Sequence, residues 1–364
     1  MSSKPNSPRN ELSAINTRVR FEQWAKNPQC EANTVSAVLN VPMGKVAEKI
    51  DLPNRKSISP FAVVRGDLFE RDLLADDAEK LRSGLIKKGA LFDGSKGFKD
   101  FRLTKNKGSQ KSLQSAIDES AKFLKEIVDL DPVIVPTITT GLTLRLPKGT
   151  MIPDATLILD VMTIDPRQKP YLLRVGEIKI YPDRGGHTDP GNLASARAQA
   201  GVYKHAVEEW IELNELKDEL VVDDTGFLVF SWPGSSWPVI REKEDLKEQA
   251  NRAMRGFKQL DEVGLKVVGE DLSDYEPDQY IDWVLHSEKN YRESCWGFCD
   301  LAAKCQDLAL KNKSGILLGN EVAGLLGSVD LERAIELIDG DLPKSEHEES
   351  LKIRLRAVDW EVQE

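Results

Sequence analysis

The stretch from Asp131 to Tyr181 constrains the fold more than any other part of the chain. It holds four short runs rich in β-branched residues, PVIVPTITT, LTLRL, ATLILDVMTI and YLLRVGEIKIY, parted by Pro, Gly and Asp. Runs of this length with that punctuation predict a meander of strands. Helical spacing brackets them. Upstream it runs through 17–50 around Phe21 and Trp24, through 61–92, and through 113–130, where Leu113, Ile117, Phe123, Leu124 and Ile127 recur at helical intervals. Downstream, LASARAQAGVYKHAVEEWIELNEL predicts a helix of about six turns. Strands at TGFLVFSW and WPVIR and the charged helix EDLKEQANRAMRGFKQLDEV follow. The pattern is α/β (α+β), a mixed central sheet flanked by helices between helical N- and C-terminal regions.

With 364 residues there is room for about two domains. The expected divisions are a disordered lead-in at 1–16, a helical N-terminal region at 17–130 and a sheet-bearing core at 131–245. A helix and cysteine-rich region at 246–310 and a helical, acidic C-terminal region at 311–364 complete them. At 40% hydrophobic and 30% charged residues, wholesale disorder is excluded. No apolar run approaches the roughly 18 residues of a membrane span. The opening MSSKPNSPRN lacks the apolar segment of a secretory signal. The expectation is a cytoplasmic chain with no membrane partner.

The net charge of −10 argues against nucleic acid only until its distribution is read. Residues 207–224 and 321–364 each carry −7, which leaves +4 on the rest of the chain. Within that rest, 94–114 holds Lys96, Lys99, Arg102, Lys105, Lys107 and Lys111 against Asp100 alone, with Phe98 and Phe101 among them. Because screening limits electrostatic reach to about 8 Å, a local basic segment can follow a phosphate backbone on an acidic protein. A solvated surface loop is the other reading.

The four cysteines are Cys30 and a cluster, Cys295, Cys299 and Cys305, in ESCWGFCDLAAKC. In a cytoplasmic chain such clustering points to metal ligation or redox chemistry rather than cross-linking. The acids and bases of the strands form a second constellation. Asp154 opens IPDATLILD, and GEIKI follows with Glu177 and Lys179, which share a strand face. If the two strands pair, two carboxylates and a Lys meet, a costly group unless a cation joins it. Mg²⁺ or Mn²⁺ would suit such oxygen donors. Ordinary exposed strand residues are the alternative. Gln199 and Tyr203 then stand four residues apart on one face of the following helix.

In this order, the motifs IPD154, Glu177-Ile-Lys179 and Gln199-AGV-Tyr203 resemble the RecB-like branch of the PD-(D/E)XK nucleases. RGDLFERDL, with Glu70, resembles the family's first motif in an acidic form. The lone Cys before the core and three after it resemble the iron–sulfur subset, which includes AddB-type helicase–nuclease subunits and CRISPR-associated adaptation exonucleases. Here the first gap is C-x₃-C where C-x₂-C is common.

The resemblance spans residues of about 30 to 310. It implies a restriction-endonuclease-like core. It implies Mg²⁺ or Mn²⁺ on Glu70, Asp154, Glu177 and the Ile178 carbonyl. Lys179 would orient water, and Gln199 and Tyr203 would hold the substrate. It implies a 4Fe–4S cluster on Cys30, Cys295, Cys299 and Cys305, with structural Zn²⁺ as the alternative, clamping the terminal regions. The expected substrate is single-stranded DNA with free ends, attacked by an exonuclease in repair or phage and plasmid defence. An endonuclease and a catalytically idle DNA-end clamp are the rivals. No helicase motif is present, so unwinding would fall to a helicase or defence-complex partner, and homo-oligomers are compatible with the resemblance.

Several residues weigh less. His187 reads as a loop residue, with approach to the substrate as the alternative, Asp160 as an exposed strand end with the parity of Asp154 or an acid supporting the metal ligands, and Trp296 as packing or a base-stacking ring. LGNEVAGLLGSVDLERAIELIDG reads as an ordinary helical hairpin, with a faint likeness to a helix–hairpin–helix DNA element. The tail after 340 reads as solvated surface.

Overall fold

The computed structural model describes residues 17–52, 60–102, 105–106, 109–110, 113–146, 156–268 and 277–357. The chain divides into two compact units, one drawing on Gln23–Ser57 and Gly264–Glu364, the other on Asn16–Glu22 and Ile58–Val263. The division is not linear: segments of the two units alternate along the chain.

The second unit is built on a mixed sheet. Its strands are β1 (Phe98–Asp100), β2 (Ile138–Thr140), β3 (Val161–Asp165), β4 (Tyr171–Pro182), β5 (Leu220–Val222), β6 (Thr225–Ser231) and β7 (Pro238–Asp245). The order is β1-β2-β3-β4-β6-β7, and β5 also pairs with β4. β1–β2, β4–β5 and β4–β6 are parallel; β2–β3, β3–β4 and β6–β7 are antiparallel. A separate two-stranded pair joins Thr143–Arg145 to Thr156–Ile158.

β4 is the longest strand and the one with the most neighbours. Its centre, Val175 to Ile178, is buried without alternation, the mark of a strand covered on both faces. On one face, Ile178, Phe227, Val229 and Ile240 pack with Phe69 and Leu73 of helix α1 (Pro60–Leu73) and Leu81 and Leu85 of α2 (Ala75–Lys87). Strand alternation sends Glu177 and Lys179 to the other face. Helix α3 (Leu113–Glu126) packs on the Thr143–Arg145 strand. Helix α4 (Pro190–Leu213) packs along β4 with Ala196, Gln199, Ala200, Tyr203, Val207 and Trp210 buried. Asp189 caps α4, accepting the Asn192 amide at 2.9 Å, and Pro190 enters its first turn. Gly176 is required where it stands, since a Cβ there would meet the Phe227 ring at 2.3 Å.

Two expectations change. Of PVIVPTITT only Ile138–Thr140 is strand, and Val133 and Ile134 are exposed. Pro132 and Pro136 have no amide hydrogen to give a ladder, which confines pairing to the end of the run. The segment expected as a basic loop contributes β1, and Lys105–Asn106 pairs with Ser109–Gln110 as a two-residue ladder.

The other unit is helical. The helix Glu31–Leu39 is almost wholly buried and packs on Pro277–His286. Asn320–Leu326, Leu331–Asp339 and Glu346–Arg356 close a core of their own around Leu326, Leu337 and Leu351. The acidic C-terminal segment is folded as far as 357: Ser345 caps its helix, and Arg333 binds Glu336, Asp341 and Glu348. Among the described residues, no helix is long and apolar enough to cross a membrane.

Candidate active site

The β3–β4 hairpin fixes which acid meets Glu177. Val161 pairs with Gly176, so the next residues outward, Asp160 and Glu177, stand opposite each other. Asp160 accepts hydrogen bonds from the Ile178 amide at 3.1 Å and from the Tyr203 hydroxyl at 3.3 Å. Lys179 completes the group. Its ammonium donates to Glu177 and lies 3.8 Å from Asp160. Glu177 is fully buried, while Asp160 and Lys179 keep about a fifth of their side-chain surface, so the group opens to solvent on one side.

Glu70 approaches from α1. Burial, and then the charge of Asp160, push its carboxyl above the ordinary range, with Arg102 partly offsetting both. Arg102 reaches Glu70 at 3.1 Å and Asp100 at 2.7 Å, and Thr140 donates to Asp100. Gln199 is buried one turn before Tyr203. Its amide nitrogen reaches Ser195 at 3.5 Å, and its carbonyl oxygen has no hydrogen-bond partner among the described residues.

Sequence-expected residues thus separate into three groups. Glu70, Glu177, Lys179 and Tyr203 converge, with Gln199 beside Tyr203 on α4, and Ile178 touches Asp160 through its amide. Asp154, Lys107 and Lys111 lie outside the described residues, as does the side chain of Lys105. Lys96 and Lys99 are exposed, whereas Arg102 is committed to Asp100 and Glu70. Asp160 is the correction: it reads as a strand end in sequence and sits in the group instead. The signal lay in the turn DPRQKP, since a hairpin centred between Gln168 and Lys169 puts Asp160 and Glu177 opposite each other. His187 is exposed in the loop after β4.

The four cysteines all belong to the helical unit. Cys295, Cys299 and Cys305 pack around Tyr291 and Phe298. Cys295 Sγ accepts from the Asn27 side-chain amide and the Arg292 backbone amide, both at 3.3 Å. Burial pushes the Cys299 and Cys305 thiols up to about 12, and other cysteines, Cys30 among them, add to it. Among the described residues, no three Cys, His, Asp or Glu side chains are gathered as a metal site. Trp296, between two of the cysteines, is half exposed.

No protein-family model, curated protein or solved structure gives a significant match to this chain. What the site can do therefore rests on its chemistry. Two carboxylates against one ammonium, a third carboxyl raised above the ordinary range beside them, and an opening to water make a cluster short of positive charge. Hard divalent cations relieve such crowding.

Proposed function

We propose that the chain is a metal-dependent DNA nuclease with a PD-(D/E)XK-type core, acting on the ends of single strands. The observation that carries this reading is the group of Asp160, Glu177 and Lys179, with Tyr203 donating to Asp160. A merely structural ion pair needs one acid for one base. Here a buried acid, a half-buried acid and a raised Glu70 share the neighbourhood of one Lys and one Arg.

Asp160, Glu177 and Glu70 are not gathered as a ready metal site, and would hold Mg²⁺ or Mn²⁺ once drawn together; carboxylate oxygens suit such ions. Once bound, that ion would supply Lewis-acid stabilisation of charge on the phosphate. The protein's own groups have separate tasks. Lys179 donates hydrogen bonds at the solvent side of the cluster, where it orients water and offsets developing negative charge. Tyr203 fixes the Asp160 carboxylate through its hydroxyl, and the Ile178 amide fixes the second oxygen. Gln199 offers a carbonyl acceptor next to this pair.

The cysteines would hold a 4Fe–4S cluster, or Zn²⁺, within the helical unit. Four thiols in one unit, with amide donors already on one sulfur, suit either. Loading must draw them closer and remove protons from Cys299 and Cys305, so affinity should rise with pH.

The test is cleavage of end-labelled linear and closed-circular single-stranded DNA with Mn²⁺, using anaerobically purified protein. Linear DNA alone should be degraded, and Lys179→Ala and Asp160→Ala should each abolish the activity. Cutting of circles would mark an endonuclease. Full activity in Asp160→Ala would end the assignment of this site.

A further inference from the structure

A groove of about 840 Å³ lies at the C-terminal ends of β4 and β6, lined in part by Arg65, Phe69, Arg71, Ile180 and Pro182 and by the β6–β7 loop. Two tryptophans stand at the base of that loop. The Trp232 amide donates to the Trp237 carbonyl at 2.8 Å, so the two residues are directly opposed and their side chains leave the hairpin on one face. Trp232 is 51% exposed and Trp237 is 68% exposed. A large flat ring left in water contributes little to folding, and two side by side form an apolar platform.

The platform is held in place. Lys80 pairs with Asp72 at 2.5 Å, its ammonium lies 4.9 Å from the centre of the Trp237 ring, and Ser236 bonds to Asp72. Within the loop, Ser235 donates to the Trp232 carbonyl at 3.0 Å, and its hydroxyl accepts from the Trp237 amide at 3.2 Å. Order of this kind removes part of the entropic cost of binding.

Charge selects the occupant. Asp72 is neutralised by Lys80, whereas Arg65 and Arg71 have no ion-pair partner among the described residues, so the groove is positive. Free guanidinium groups in the groove, with flat apolar rings on the loop that borders it, match a ligand with flat faces and a charged backbone. Unpaired bases offer those faces and phosphates offer that charge; a duplex keeps its bases stacked inside. The groove shares β4 and α1 with the carboxylate group but lies on the other face of the sheet, Ile180 and Pro182 having the parity of Ile178. Ile180 follows Lys179, Phe69 precedes Glu70, and Pro182 lies about 10 Å beyond Lys179 along β4.

We propose that Trp232 and Trp237, with Arg65 and Arg71, form a stacking subsite for unpaired bases of a DNA strand. That this strand is also the substrate rests on the nuclease reading; the binding does not. Binding is therefore measured in chelator with the full chain carrying Lys179→Ala, by anisotropy of a labelled oligothymidine of about 15 nucleotides.

Trp237→Ala should weaken binding about tenfold, and Trp232→Ala with Trp237→Ala together by about fiftyfold or more, at roughly 1–3 kcal/mol per stacked base. Trp237→Phe, which keeps a ring, should retain most of the affinity. An abasic strand of equal length should bind the unsubstituted platform as weakly as the thymidine strand binds the double variant. Unchanged affinity in the double variant, or equal affinity for the abasic strand, overturns the subsite. Absence of Mn²⁺-dependent cleavage alongside the expected binding losses would instead remove the nuclease reading and leave the subsite standing.

Discussion

Lys179 holds its position because two acids converge on it from different parts of the chain. Glu177 shares its strand face, and Asp160 reaches it across the hairpin. The Glu-x-Lys pair is legible in sequence because alternation alone puts positions 177 and 179 together. The opposing acid is not fixed by alternation. Asp154 and Asp160 have the same parity, and only the register imposed by the DPRQKP turn selects the one that faces Glu177. Glu70 had no local signal beyond its motif, since its approach depends on how α1 packs against the sheet. Tyr203 is where this arrangement can be tested without removing a charge. Tyr203→Phe leaves the buried ring in place and deletes the donor to Asp160. Cleavage should fall about tenfold, the value of one hydrogen bond of about 1.4 kcal/mol to a charged group, with thermal unfolding lowered by no more than about 5 °C. Undiminished rates would mean that the hydroxyl does not position the carboxylate.

At the scale of the element, the helices and the central strands follow from periodicity, and the exceptions are places where tertiary contacts decide. β1 spans three residues with no alternation to announce it and exists through its parallel pairing with β2. The turn after β4 is organised by Asp183, which sequence reading left unnoticed in a polar loop. Its carboxylate is fully buried and accepts from the Gly186 amide and the Thr188 hydroxyl, each at 2.7 Å, and from Arg241 at 3.2 Å. Burial alone would push this carboxyl up. The bonds from Thr188, Gly186 and Arg241 outweigh it and hold the group below the ordinary range. A depressed carboxyl stabilises the fold above its unfolded value of about 3.9, and the contribution is lost as pH falls through the lower folded value. Asp183→Asn should therefore cost about 3 kcal/mol in urea unfolding at pH 7, and the gap between parent and variant should begin to close as pH falls below about 4. A gap that stays constant from pH 7 to pH 3 would assign the loss to shape rather than charge.

At the scale of the molecule, the cysteine count pointed to a link between distant segments, and the folded chain shows what those segments are. Gln23–Ser57 and Gly264–Glu364 belong to one unit, and all four cysteines lie in it. The sheet and its carboxylate group belong to the other. A linear partition of the sequence could not express this, because the helical unit is interrupted by Ile58–Val263 of the sheet unit. Stability should follow the same division. On the proposed reading, the metal joins Cys30 to a segment 265 residues away, so its loss acts on the helical unit first. Cys30→Ser should abolish the visible absorption of an anaerobically purified iron–sulfur protein. It should also lower the unfolding temperature of one calorimetric transition by at least about 6 °C, at on the order of 2 kcal/mol and roughly 3 °C for each. A second transition, from the sheet unit, should stay where it is. A colourless parent with stoichiometric zinc and the same selective shift would identify zinc as the native ion. A Cys30→Ser protein that melts as the parent does, in both transitions, would show that the thiols are core residues packed together without a metal to hold.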